Sequence, residues 1–337
     1  WYHPHLHEKT QEHLGFGAGG LIIIRDSTEA ALNLPRTYGV DDIPLALTSR
    51  RFASNQLVTT GAEYGDVMLV NGALNAQVTL PRQYVRLRVL NAEAERSYNL
   101  GFSDGRTFYQ ICTDGGLVNA PVALTRIVLA VGERCEILVD LSGDTVGSTF
   151  NLQAFNSGQS NDFPGGEPAT TGRFGSLLNN TTFTILKINV GAQTANPVLT
   201  RPAILTTNSF YTQAQVTNTR TVTLTNGVPG TGLPFSFDNL VYSPSVINQT
   251  LALNAIEQWN LTNTSGFSHA SNTNPFMYHC HFGSHEDGGM MGQFTVVNSA
   301  TEDLRVASFT RYGDNSLIQI DFKATPGTTY TLEWSPD

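Results

Sequence analysis

The sequence predicts an all-β protein of tandem Greek-key β-sandwich domains, and three observations carry that reading. Charged residues make up 14% of the 337 and hydrophobic residues 40%, beside 31 Gly and 15 Pro, a composition suited to short strands broken by turns. No segment sustains a 3.6-residue apolar repeat over helical length; Val-, Leu-, Ile- and Thr-rich runs recur instead. Between them stand Asn71-Gly72, Asp104-Gly105, Asp114-Gly115-Gly116, Pro121-Val122-Ala123 and Ser142-Gly143-Asp144, the residue types that supply turns. A chain of this length has room for two or three domains.

Taken in order, residues 21–24 form an apolar run and read as a strand. Residues 30–44, with acidic Asp41-Asp42, read as an interdomain linker. Strand-like runs follow at 45–52, 66–72, 83–92, 97–102, 126–131, 135–141, 150–155 and 183–189, enough for one Greek-key sandwich. Residues 157–176 make a Gly/Pro/Ser loop, of a length that in compact domains is functional or mobile. Further strands are expected at 221–226, 235–240, 249–265 and 293–298, and in the tail at 306–312, 316–322 and 328–334.

Several function classes are disfavoured. Net charge is −9, and no basic cluster exists beyond Arg50-Arg51 and the spaced Arg82, Arg86 and Arg88, so nucleic acid and anionic membrane are poor partners. No apolar run approaches the ~20 residues of a membrane span. The sequence begins at Trp1 inside a motif, without a signal peptide, which is silent on export.

Residues 275–294, PFMYHCHFGSHEDGGMMGQF, concentrate metal-binding chemistry. His279, Cys280 and His281 are consecutive, His285 follows after three residues and Met290 after four more. Side chains alternate across a strand, so His279 and His281 face one way and Cys280 the other. One thiolate, imidazoles and a thioether are the donor set of a blue-copper centre. Zinc also takes Cys and His, though structural sites use four strong donors; a core Met and solvated histidines are the plain alternatives. His3, His5 and His7 repeat at spacing two on an extended run, and no histidine lies between His13 and His269.

The C-terminal run resembles the copper motif of the multicopper oxidases (laccases, bilirubin oxidases and cuprous oxidases). WYHPHLHEKTQEH followed by GFGAGGLIII resembles a second copper motif of that family. The resemblance implies cupredoxin-like domains and copper as cofactor. Cys280, His285 and Met290 would be type 1 ligands, and His269 the first type 1 histidine. His3, His5, His279 and His281 would be type 3 ligands, and Glu286 an acidic residue relaying protons. His7 and His13 match no ligand position. Phe282-Gly283-Ser284 departs from the family's bulkier spacer, a change that touches packing and potential.

By the same resemblance, residues 1–35 end a first cupredoxin domain, 41–192 form a copper-free middle domain, and 197–298 carry the copper motif but lack strands. Residues 301–337 begin an extra β module outside the resemblance. The family's three-copper cluster needs eight histidines, of which four positions match here. Either the sequence omits residues of a longer protein, or the cluster is cut down. The expected function is laccase-like: one-electron oxidation of a small phenolic or similar reductant, coupled to reduction of O2 to water. The alternative is a copper-binding or electron-transfer protein without O2 reduction. The family has small residues where Cys112 and Cys135 stand, which suggests a disulfide between them, with two buried free thiols as the alternative; a disulfide would fit a secreted or periplasmic setting.

Overall fold

The computed structural model describes residues 1–59, 64–168, 174–228, 230–232, 234–265, 269, 271–274, 277–297, 305–311 and 318–323, with 271–274, 305–311 and 318–323 given by backbone alone. The chain separates into two compact units. The first comprises 1–210 with 266–270 and 280–288; the second comprises 211–265, 271–279 and 289–337. Among the described residues no helix is long and apolar enough to cross a membrane.

In the first unit, helices α1 (Thr10–Gly15) and α2 (Ser27–Ala30) precede thirteen strands. These are β1 (Asp42–Ala53), β2 (Gln56–Val58), β3 (Val67–Val70), β4 (Ala73–Leu74), β5 (Gln77–Pro81), β6 (Tyr84–Asn91) and β7 (Tyr98–Phe102), then β8 (Phe108–Thr113), β9 (Gly116–Leu124), β10 (Ile127–Leu129), β11 (Arg134–Asp140), β12 (Thr149–Phe155) and β13 (Thr182–Gly191). One sheet runs β4-β3-β1-β6-β11-β8-β9, with β2 on β1; the other runs β10-β7-β12-β13-β5. Alternation builds the core between them. Leu45 and Leu47, Val85, Leu87 and Val89, and Ile137 and Val139 meet Leu100, Phe102, Leu152, Leu186 and Ile188 from the second sheet. Asn71-Gly72 joins β3 to β4 with both residues at positive φ, 52° and 77°, the tight hairpin its sequence demands.

Residues 30–44 are not a linker. Leu34 packs with Tyr84, Ile111, Leu138 and Leu205 in a second core cluster, and Asp41 and Asp42 are buried. The reason lies in β6, whose outward residues are Arg86 and Arg88. Arg88 Nε donates to Asp42 at 2.6 Å, Arg86 Nη1 donates to Glu29 at 2.6 Å, and both guanidinium groups bond Glu136. Residues 25–42 supply the carboxylates that make burial of two arginines tolerable. Burial would raise the Asp42 pKa, yet its hydrogen bonds and charge pairing with Arg88 outweigh that and hold it below the usual carboxylate value.

Cys112 and Cys135 are both free and buried, so the expected disulfide is absent. In register Cys112 stands opposite Glu136, the residue after Cys135. Neighbours on a strand face opposite ways, so Cys135 enters the sandwich core while Cys112 lies on the Arg86–Glu136 side. Burial and the nearby Glu136 carboxylate push the Cys112 thiol up to about 12. Residues 121–123 are strand rather than turn: Pro121 sits in β9 at the sheet edge, where a missing N–H is tolerated. Residues 21–24 likewise form no strand. Gly20 makes an isolated bridge to Tyr2, and Ile22 and Ile24 are exposed.

The second unit holds a 3₁₀ turn (Gln213–Gln215) and strands β14 (Asn218–Asn226), β15 (Phe235–Phe237), β16 (Gln249–Ala252), β17 (Glu257–Asn263), β18 (Ser271–Asn274), β19 (Met277–Cys280), β20 (Met291–Val297), β21 (Arg305–Arg311) and β22 (Ile318–Lys323). They form sheets ordered β15-β14-β17 and β16-β20-β19-β18, plus the β21–β22 hairpin. Tyr278 packs edge-on against Phe237 and Trp259, with centroids 5.2 and 5.5 Å away. The tail strands expected at 306–312 and 316–322 correspond to β21 and β22; residues 328–334 lie outside the described residues. β19 ends at Cys280, and a short helix, α3 (Gly283–Asp287), follows in the first unit.

Candidate metal centre

The end of β19, the turn of α3 and His269 bring three donor atoms to one spot. Cys280 Sγ lies 3.6 Å from His269 Nδ1 and 3.5 Å from His285 Nδ1, and the two nitrogens are 3.2 Å apart. Cys280 and His285 are buried and His269 is half-buried. A point equidistant from these atoms falls about 2 Å from each, close to metal–imidazole and metal–thiolate bond lengths. Two imidazoles and one thiolate would suit a copper ion, with a thioether as a weaker fourth donor. Burial lowers the His269 pKa to about 4, so its imidazole is neutral at pH 7 and its lone pair is available. Met290, the expected fourth ligand, is fully buried in the second unit.

His281 points elsewhere. Its ring centroid is 5.8 Å from that of His3 and 6.0 Å from Trp1, and His3 is 5.8 Å from His5. Trp1 stacks on His3 at 4.5 Å. Gly132, at φ +78°, forms the wall behind His281: a Cβ there would sit 2.7 Å from His281 Nδ1. His5 Nε2 lies 3.3 Å from Glu286 Oε1, and Glu286, 2% exposed, also accepts from the Thr10 hydroxyl at 2.8 Å. His279 is fully buried in β19, opposite Met291 of β20, in the second unit. His7 is exposed, and His13 lies in the last turn of α1.

Sequence reading missed the residues that brace this region. α1 was unexpected, and Gly17 at φ 86° ends it, with Ala18 N donating to His13 O and Gly17 N to Leu14 O. Its first turn has no cap of its own; Asp287 accepts from Thr10 N and Gln11 N, each at 2.9 Å. Gly283 is small because a Cβ would meet Gln11 Cβ at 3.0 Å, which accounts for the light spacer after Cys280. The acidic pair Glu286-Asp287 and Gly132 were the available signals; nothing in the sequence pointed to Thr10.

A family model described as "Multicopper oxidase" matches residues 266–300, the stretch that supplies the triad. Multicopper oxidase McoA of Aquifex aeolicus shares the fold with a TM-score of 0.73, at 22% identity over 87% of this chain and 74% of that one. In that stretch and in fold the chain resembles the multicopper oxidases. It is also similar to a laccase of Pediococcus acidilactici, with TM-score 0.70 and 25% identity over 88% of this chain and 69% of that one. In sequence it is similar to cell division protein FtsP of Xenorhabdus nematophila, 44% identical over 147 residues, which are 42% of this chain and 31% of that protein. The chain thus spans about a third of the length of the FtsP relatives it matches.

Proposed function

We propose that this chain is a copper-binding, electron-transfer member of the multicopper oxidase family, with one mononuclear centre held by His269, Cys280 and His285 and completed by Met290. The observation that carries the reading is the closed triangle of two Nδ1 atoms and one Sγ. Bound copper would supply a one-electron redox couple. The chain's own part is to hold the thiolate and both imidazoles in place and to keep the site largely out of water.

The laccase-like reading is the second proposal, and the gathering of His3, His5 and His281 near Glu286 favours it. There His3, His5, His279 and His281 would serve the O2-reducing cluster, and Glu286, held by Thr10, would pass protons to it. A small phenolic reductant and O2 would be its substrates. The cluster asks for four more histidines than these positions provide, and the sequence similarity to FtsP brings no oxidase name with it, so the electron-transfer reading stands first. The division into 1–35, 41–192, 197–298 and 301–337 belongs to the same proposal. A periplasmic or secreted setting now rests on family resemblance alone, since Cys112 and Cys135 are free thiols.

The test is a Cu(II) titration of the purified protein, followed by oxygen-uptake measurements with a phenolic substrate. One tightly bound copper with an intense blue absorption and no oxygen uptake is expected. Oxygen consumption with four coppers per chain would replace this reading with the laccase-like one.

A further inference from the structure

His285 is carried by α3, which has only five residues and no side-chain cap from its own N-cap, Phe282. A helix this short does not hold its own orientation, so something outside it must. Its first two N–H groups are taken by the loop after β6. Gly283 N donates to Ala94 O at 2.8 Å, and Ser284 N donates to Glu95 Oε1 at 2.9 Å. Glu95 is 3% exposed, so this bond is made away from water.

The loop is itself rigid. Asn91 Nδ2 donates to Arg96 O at 2.9 Å and Leu129 O at 3.1 Å, and Glu93 N donates to Asn91 Oδ1. Arg96 Nη2 donates to Ser176 Oγ at 2.9 Å, and Ser97 N donates to Pro164 O. Tyr98, at the start of β7, donates its hydroxyl to Glu93. The sandwich therefore presents Glu95 as a fixed acceptor, one residue from a triad histidine.

We propose that Glu95 is the positioning residue of the metal centre: it sets the angle of α3, and through Ser284 it fixes where His285 Nδ1 points. The claim rests on the reading of the triad as a copper site, and two readouts separate them. Copper affinity, measured against a competing chelator through the blue band, is expected to fall about tenfold in Glu95→Ala. In Glu95→Gln, whose Oε1 still accepts, it is expected to stay within about twofold of wild type. Amide hydrogen exchange in the metal-free protein is expected to speed up at Ser284 in Glu95→Ala alone. Should Glu95→Ala not fold, Glu95→Asp, which withdraws the carboxylate by one methylene, replaces it. Unchanged copper affinity with an unchanged Ser284 amide overturns the proposal. Wild-type protein that binds no copper overturns the reading of the triad, and the Ser284 amide then decides on Glu95 alone.

Discussion

Two buried polar clusters in the first unit look alike by composition and differ in kind. On the outer face of the larger sheet, Arg86 and Arg88 meet Asp42, Glu29 and Glu136, so positive charge answers negative. At the triad, two imidazole nitrogens and a sulfur converge within 3.6 Å, and all three are electron-pair donors to a cation. The first arrangement is complete as protein and serves the fold. The second makes chemical sense around a metal. Burial alone does not separate structural from functional polar groups; the sign and type of the converging atoms do.

The comparison breaks most visibly at Cys280. Cys280→Ser is expected to abolish the blue absorption of the copper-loaded protein while leaving its melting temperature near that of the metal-free wild type, checked by visible absorption and calorimetry. At the ionic cluster the expectation reverses. Arg88→Ala leaves Asp42 with Arg25 and Glu136 with Arg86, so the buried network is broken on one side, at a cost of about 3 kcal/mol, read by denaturant unfolding, while any folded fraction keeps the blue band.

Acid sharpens the same contrast. The Asp42 pKa is depressed, so its stabilising contribution is fully present above the ordinary carboxylate pKa of 3.8 and is lost as pH falls below it. Chemical denaturation across pH 5 to 2 is expected to show wild type losing stability in that window. Asp42→Asn, less stable to begin with, is expected to lose less.

Smaller effects probe the histidine face beside the triad. Gly132→Ala puts a methyl 2.7 Å from His281 Nδ1 and forces Ala to φ +78°, costing about 1–3 kcal/mol. The His281 ring resonances are expected to shift and the blue band to stay. Asp287→Asn weakens the cap on α1 by about 1 kcal/mol, read as faster amide exchange at Thr10 and Gln11.

How much of this was legible depends on distance along the chain. His279-Cys280-His281 and His285 announce themselves because residue type and spacing are local. The sandwich was legible for the same reason, in the alternation of β6 and β11. Glu95 was hidden because its partner Ser284 is 189 positions away, and Asp287 caps a helix 277 positions earlier. The cysteine pair misled because proximity was inferred without strand parity: opposite-facing neighbours cannot bridge. Asp41 and Asp42 looked like linker acids until the arginines they neutralise were placed on the adjacent strand.

X-ray absorption at the copper edge, on protein loaded with one equivalent of copper, tests the central claim most directly. Two nitrogen donors and one short sulfur donor, with the sulfur lost in Cys280→Ser, is the predicted result. A first shell of nitrogen and oxygen alone would contradict it and leave the triad as protein packing.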